Sequence, residues 1–360
     1  MLENMGLNVS FWNNKKVFLT GNTGFKGSWI TELLINLGAK VYGFSLQENT
    51  EPCLYEILDL NSEIKQTFSD IRDYNALDSS MNKFKPDILI HMAAQPLVRP
   101  SYHDPRYTYE TNVMGTVNVL EVAKNINSIK SILVVTSDKC YKNLEVEYSY
   151  KETDFLGGHD PYSNSKACSD LIATSYYQSF FSIKEVGLGI ARAGNVIGGG
   201  DWSKNRIIPD LVRAYSKNKP LIIRYPNAMR PWQYVLDPIY GYLLLVEKIW
   251  EDQASFSGPW NFGPATDKNK SVEYVCNRIT KLWGKNSNWI SEESKDQMHE
   301  ATLLMLDSEK AKKNILWKPK FDINRAIDQT IKWYLAYYDG QDMKNITKME
   351  IDNYLGNHDE

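Results

Sequence analysis

Cysteine is scarce: only Cys53, Cys140, Cys168 and Cys276 occur in 360 residues, and no two of them form a CxxC pair. That spacing argues against a zinc module or a disulfide framework and predicts a reducing, cytoplasmic setting. His91, His103 and His159 lack metal-ligand spacing, so no metal site is expected. Long apolar runs are missing as well. No stretch approaches the roughly 18 to 20 residues that span a bilayer, and the first ten residues lack the basic flank and apolar core of a signal peptide. No membrane association is expected. Charge of one sign is also absent: 41 Lys plus Arg face 44 Asp plus Glu, for a formal net of −3. Without a basic field to grip a phosphate polymer, general nucleic-acid binding is disfavoured. There is no low-complexity linker and no internal repeat.

What is present is an ordinary globular composition, 42% hydrophobic and 24% charged, which argues against a disordered or fibrous chain. Aromatic residues are abundant, with 22 Tyr, 12 Phe and 10 Trp. Such residues fill cores, and they also line pockets and interfaces because each offers a large apolar face.

Short apolar runs alternate with helical spacing along the first half. Lys16 to Thr20 ends at a glycine and is followed by Ile30, Leu33, Leu34 and Leu37 at helical intervals. Further runs lie at 41–44, 67–68, 88–90, 132–135 and 186–190. This alternation predicts an α/β fold of the Rossmann type, a doubly wound parallel sheet with helices on both faces, followed by a smaller, mainly helical C-terminal substrate domain. The expected division is 12–195 for the sheet domain, completed by a segment near 231–257, with 196–230 and 258–345 forming the second part. Ligands of such sheets bind at the carboxyl ends of the strands, where every motif below falls.

Gly21-Asn22-Thr23-Gly24-Phe25-Lys26-Gly27 stands between the first strand and the first helix. Gly21 permits a tight turn, Gly24 lets backbone approach a pyrophosphate, and Gly27 lets the helix pack on the strand. The turn predicts a dinucleotide held by Gly21, Thr23, Gly24, Phe25 and Gly27. The second strand ends Phe44-Ser45-Leu46-Gln47, with neither the acid that holds a ribose nor an Arg or Lys for a 2′-phosphate; NAD is the favoured cofactor. Asp70 and Ile71 either meet the adenine edge or, for Asp70, cap the helix at Arg72.

Tyr162 and Lys166, four apart at the start of a helix, share one face. An ammonium beside a phenol stabilises phenolate and lowers its pKa from about 10 toward that of a working base. Together with the glycine turn and Ser137 after the fifth strand, this pair resembles the extended short-chain dehydrogenase/reductase superfamily. Ala93, Ala94 and Gln95 after the fourth strand, and Thr111-Asn112-Val113 with Gly115-Thr116 in a following helix, extend the likeness and imply cofactor contacts.

The stretch Ser137-Asp138-Lys139 is similar to the Thr-Asp-Glu of nucleotide-sugar 4,6-dehydratases, with Lys139 in place of the Glu. Residues 93–99, Asp160-Pro161-Tyr162, 191–202 and Arg230-Pro231-Trp232-Gln233 look like the CDP-glucose branch of those hydro-lyases, over residues from about 12 to about 338. The resemblance implies that Tyr162, with Lys166 and Ser137, oxidises the sugar at C4. It implies that Asp138 protonates the departing C6 hydroxyl, and that Lys139 either removes the C5 proton or places Asp138 and the substrate. It implies a nucleotide-sugar substrate, CDP-glucose, held by Asn195, Arg206 and Arg230, and use of the product in deoxysugar and surface-polysaccharide synthesis. Arg99 and Arg192 are open between substrate contact and structural ion pairs. Relatives pair through two helices per subunit, here around 105–127 and 159–181, so a homodimer or larger homo-oligomer is implied. Competing readings are another dehydratase or 4-epimerase on the same fold and, remotely, a non-catalytic NAD-binding regulator.

Overall fold

The computed structural model describes residues 6–48, 50–264, 270–284, 287–292 and 304–356. Seven parallel strands form the central sheet: β1 (Lys16–Thr20), β2 (Lys40–Ser45), β3 (Lys65–Phe68), β4 (Ile88–His91), β5 (Ser131–Val135), β6 (Gly187–Ala193) and β7 (Gly258–Phe262), in the spatial order β7-β6-β5-β4-β1-β2-β3. Alternation along β1 explains why both faces are covered. Val17 and Leu19 enter one core, while Phe18 enters the other, because successive side chains of a strand point to opposite faces.

Helices fill the spaces between strands: α1 (Phe25–Asn36), α2 (Tyr74–Phe84), α3 (Gly115–Ala123) and α4 (Pro161–Tyr176). The remaining long helices are α5 (Ile207–Tyr215), α6 (Leu236–Glu251), α7 (Val272–Trp283), α8 (Ile323–Tyr338) and α9 (Met343–Leu355). No helix among the described residues is long and apolar enough to cross a membrane.

The sheet differs from expectation at one edge. Residues 258–262 pair with β6 from Gly258↔Gly189 to Phe262↔Ala193, so a segment expected to open the second part instead adds an edge strand to the sheet. Gly258-Pro259 breaks the apolar run that would mark a strand, and an edge strand tolerates that Pro because one side of its ladder is unpaired. The second part also reaches past 345, through α9. Its small pieces are tied back by two-residue ladders, Val196–Ile197 with Gln233–Tyr234 and Met229–Arg230 with Lys270–Ser271.

Much of the aromatic content is core. Trp202 packs edge-on against Trp333, Tyr334 and Tyr337, and Trp12, Trp29, Trp260, Trp317 and Trp333 are fully buried.

α9 closes over this core through two buried carboxyls. Tyr234 donates to Glu350, and Tyr354 donates to Asp237 at 2.7 Å. Burial pushes Glu350 up to about 7 from 4.5, so the folded state favours its protonated form. Its contribution is therefore greatest below the unfolded pKa of 4.5 and is lost as pH rises through about 7. Glu350→Gln keeps an acceptor for Tyr234 and removes the titration. Melting temperatures measured at about pH 5 and about pH 8 should fall less between the two in the variant than in the parent; an equal fall would show that Glu350 does not carry this linkage.

Candidate active site

β1 delivers the chain into the turn at Gly21, whose φ is +77° and whose added Cβ would lie 2.7 Å from the Ala93 nitrogen. A Cβ on Gly27 would come within 2.0 Å of the Gly21 carbonyl oxygen. Both positions therefore exclude any side chain. Gly24 caps α1 without a side-chain hydrogen bond, and no acid stands in the first turn. A Cβ at Gly24 would meet only Glu48 and the Gly21 oxygen, both at 3.7 Å. This leaves an open cradle at the positive end of a helix, which fits the pyrophosphate of a dinucleotide. Phe25 follows as the first residue of α1.

The end of β2 is spent on bracing this turn. Thr23 bonds Ser45 at 3.0 Å and the Leu46 carbonyl at 2.9 Å, Ser45 donates to Asn22, and Asn22 donates to Gln66 at 2.7 Å. Asp70 is clasped by Arg72, with guanidinium contacts of 2.9 and 3.0 Å, and the hydrogen bonds from Arg72 hold its carboxyl below the ordinary range. The capping alternative goes to a different residue: Asp73 accepts from the Ala76 amide and caps α2. Ile71 lies in the core against Gly115.

The turn after β4 is anchored by hydrogen bonds from both sides. The amides of Met92 and Ala93 donate to the Thr20 hydroxyl, each at 3.1 Å. Ala94 follows, and the Gln95 amide donates to Asn112 at 2.7 Å. Asn112 in turn donates to the Gln95 carbonyl and, at 2.8 Å, to Ser165. With all three bonds used inside the protein, Asn112 ties the 93–95 turn to α4 one residue before Lys166. It sits in a π-helical turn, Glu110–Met114, an irregularity frequent at functional sites.

α4 is started by Asp160, which accepts from the Ser163 amide, with Pro161 at the first helical position. Tyr162 and Lys166 are thereby set one turn apart on a fixed helix end, 8% and 7% exposed. Opposite them, Ser137 caps the short turn of Asp138–Cys140 by accepting from the Lys139 amide at 3.2 Å. The Ser137 hydroxyl donates to Asp138 at 2.9 Å. Lys139 Nζ lies 4.0 Å from Asp138 Oδ1.

Electrostatics in this pocket differ from the simple expectation. Burial pushes the Tyr162 phenol up to about 12, opposed by the bond to Ser137, and Lys166 is not among the charges acting on it. Lys166 instead directs its ammonium to the Val135 carbonyl at 3.3 Å, and burial pulls it down to about 8. Desolvation is thus the dominant influence on the phenol in this geometry.

The substrate-side residues come from three separate segments. Arg206 precedes α5 and pairs with Asp201 at 3.0 Å, close enough to influence Tyr162. Asn195 follows β6 beside Gly194, where a Cβ would sit 3.0 Å from Asp138 Oδ2. Arg230 lies on the small ladder with Lys270, its guanidinium donating to the Met229 carbonyl. The structure thus brings Ser137, Asp138, Lys139, Tyr162 and Lys166 together, with Arg206 and the Asn195 segment alongside.

The family model for GDP-mannose 4,6 dehydratase matches residues 18–330, from β1 to the middle of α8. The chain belongs to the GDP-mannose 4,6 dehydratase family. Among its relatives, the CDP-glucose 4,6-dehydratase of Salmonella typhimurium is 44% identical over 97% of this chain and 98% of its own length. The dTDP-glucose 4,6-dehydratase of Haemophilus influenzae is 24% identical over 89% of this chain and 97% of its own. A UDP-glucose 4-epimerase structure from Thermotoga maritima superposes with a TM-score of 0.78 at 18% identity, covering 90% of this chain and 99% of its own. A Bacillus anthracis dTDP-glucose 4,6-dehydratase in complex with NAD gives 0.73 at 22%, covering 92% and 99%.

This member of the GDP-mannose 4,6 dehydratase family carries site groups that motif reading passed over. Lys26, inside the glycine turn, reaches Tyr242 on α6 at 3.4 Å. Burial, then Arg206 and Lys166, pull its ammonium down to about 8, with Asp138 opposing. Arg192 is settled as an ion-pair residue: it forks onto Asp170 with two bonds of 2.8 Å and donates to Tyr141 at 2.7 Å. A charged residue within the glycine motif was the available signal for Lys26; Asp170, four residues after Lys166 on the same helix face, was the signal for the Arg192 pair. Gly21→Ala would place a side chain both at positive φ and against the Ala93 backbone. We expect a loss of more than ~1 kcal/mol in urea unfolding together with weakened NAD binding by fluorescence titration; unchanged stability would refute the close approach.

Proposed function

We propose that this chain is a CDP-glucose 4,6-dehydratase, a hydro-lyase that converts CDP-D-glucose to CDP-4-keto-6-deoxy-D-glucose and water. The observation that carries the reading is the placement of an elimination pair, Asp138 and Lys139, on a turn capped by Ser137 and packed against the helix that carries Tyr162. A plain epimerase needs only the oxidising half of that arrangement. The 44% identity over almost the full length supports the same substrate.

The cofactor cradle comprises Gly21, Thr23, Gly24, Phe25 and Gly27, with Ala93, Ala94 and Gln95 beyond β4, and we assign Asp70, Ile71 and Asn112 to its adenosine side and support. Bound NAD supplies a two-electron acceptor at C4 that is restored at C6, so the reaction has no net redox change. Tyr162 as phenolate takes the C4 hydroxyl proton, with Lys166 and Ser137 fixing its position. The 4-ketone acidifies the C5 hydrogen. Lys139 as amine removes that proton while Asp138 as carboxylic acid protonates the C6 hydroxyl, which leaves as water. Acid plus amine hold the same number of protons as the ion pair, so their 4.0 Å separation lets one pair serve both ends of the elimination. Lys139 then returns its proton to C5. Asn195, Arg206 and Arg230 are assigned to the nucleotide sugar, Arg guanidinium forks being suited to a pyrophosphate.

We further infer a homo-oligomer in the cytoplasm, in a deoxysugar pathway for surface polysaccharide. Met114 at 51% exposure and Leu171 at 57%, on the outer faces of the 110–123 and α4 helices, support pairing there, and the four unpaired thiols are consistent with a reducing compartment.

Incubation with CDP-glucose should produce the ultraviolet absorbance that 4-keto sugars develop in alkali; signal with a different nucleotide sugar alone would overturn the substrate. Lys139→Ala should slow exchange of the C5 proton with solvent by at least ~100-fold, the lower range for a lost general base. Exchange at the parental rate would remove Lys139 as the base and leave it to position Asp138.

A further inference from the structure

The two halves of the reaction make different demands on one sugar. Oxidation at C4 needs Tyr162 and Lys166 beside the cofactor cradle. Elimination needs, in addition, Asp138 at the C6 hydroxyl and Lys139 at the C5 hydrogen. A misplacement of about 1 Å can cost a reaction about 100-fold in rate. Asp138 and Lys139 stand on a turn of three residues, Asp138–Cys140. The turn is closed by long bonds, from the Cys140 amide to the Ser137 carbonyl at 3.2 Å and from the Tyr141 amide to the Asp138 carbonyl at 3.4 Å. So short a turn, with hydrogen bonds that poor, takes its position from its flanks.

The leading flank belongs to the sheet: the Thr136 amide donates to the Ala191 carbonyl at 2.9 Å and continues the ladder of β5 with β6. On the trailing flank, backbone bonds of 2.8 Å join Cys140 to Gly157 and Lys142 to Phe155, but Phe155 is exposed and its loop lies at the surface. Tyr141 points inward instead and is fully buried. Its ring stacks on Tyr150 with centroids 5.2 Å apart, and the Arg192 guanidinium lies 4.9 Å from the ring centre. Its hydroxyl accepts from Arg192 and donates to Asn261, each at 2.7 Å. The phenol is thus pinned from two strands, β6 and β7, with its single proton committed. Arg192 carries the same reference to α4 through Asp170, which shares a helix face with Tyr162 and Lys166 at intervals of four. The oxidising groups are held by other bonds. The Tyr162 amide donates to Ser101 at 3.1 Å, Lys166 donates to the Val135 carbonyl, and Asn112 donates to Ser165. None of these three bonds passes through Tyr141.

We propose that Tyr141 is a positioning residue for the elimination half of the reaction. Its hydroxyl, held between Arg192 and Asn261, fixes where Asp138 and Lys139 stand against the sugar, and oxidation at C4 does not depend on it. Ser137, at the start of the turn, is kept in place by the β5 end, whereas Lys139, two residues before Tyr141, takes its place from the trailing end. Loss of the hydroxyl leaves the ring and its stacking partner where they are and frees the trailing end to shift.

The inference rests on the dehydratase reading, and its test keeps the two apart. Parent enzyme with CDP-glucose decides the reading: if no 4-keto product forms, that reading fails before any variant is made. Given product, Tyr141→Phe is loaded with NAD and mixed with CDP-glucose in a single turnover, with the fluorescence of the reduced nicotinamide and the 4-keto-6-deoxy product followed separately. We expect the fluorescence to rise within ~3-fold of the parental rate and product to form at least ~10-fold more slowly, a fraction of the full cost of misplacement. Reduced nicotinamide should therefore persist in the variant and decay at the rate at which product appears. Oxidation slowed by the same factor as product formation, the pattern of a merely structural residue, would overturn the proposal, and so would product formed at the parental rate. If Tyr141→Phe does not fold, Tyr150→Leu decides by the same two signals: it keeps both hydroxyl bonds of Tyr141 and removes the ring that backs it. The same split is expected there, and equal slowing of both signals, or of neither, would overturn the proposal.

Discussion

A buried ion pair holds the two halves of the site in register. Arg192 on β6 and Asp170 on α4 are 2% and 1% exposed and share two hydrogen bonds of 2.8 Å. From this pair contacts spread to both ends of the turn that carries Ser137, Asp138 and Lys139. Thr136 donates to Asp170 before the turn, and Tyr141 accepts from Arg192 after it. Tyr141 then donates to Asn261 on β7, and Asn261 donates to the Tyr150 and Asp307 carbonyls. Since α4 also bears Tyr162 and Lys166, one pair sets the distance between those two residues and the Asp138–Lys139 turn. Two buried charges are costly to desolvate and are tolerated here because Arg192 also donates to Tyr141 and to the Glu152 carbonyl; removing one charge would strand the other.

Burial decides the resting electrostatics. Desolvation raises Tyr162 and lowers Lys166 and Lys26, so each group is shifted toward its neutral form. Lys26 and Lys139 stand near Asp138, and Arg206 nearby is paired with Asp201. Cations so placed suit a ligand bearing a pyrophosphate.

The fold was largely legible because its signals are local. Short continuous apolar runs mark strands buried on both faces, and the glycines at 21 and 27 mark a turn that leaves no room for a side chain. Tyr162, Lys166 and the Ser137 turn were legible by spacing. Other features depend on partners remote in sequence. That Asp70 would be clasped by Arg72 rather than cap α2 turns on side-chain geometry, and the meeting of Lys26 with Tyr242 spans 216 positions. β7 was hidden because its residues Gly258-Pro259-Trp260-Asn261-Phe262 look like a loop until β6 supplies a ladder. The aromatic excess read from composition is mostly core, as the Trp202, Trp333 and Tyr334 cluster shows.

By itself, then, the sequence determined which chemistry is present: a dinucleotide turn, a tyrosine and lysine on one helix face, and an acid and a lysine after the fifth strand. These follow from residue type and short spacing, which the periods of helix and strand convert directly into geometry. Only the tertiary structure decided how that chemistry is tuned and connected. Charge shifts come from burial, and burial is created by segments hundreds of residues apart. Tyr162 and Asp138 face one another because α4 and the turn after β5 are tied together through a pair, Arg192 with Asp170, that no local pattern reveals.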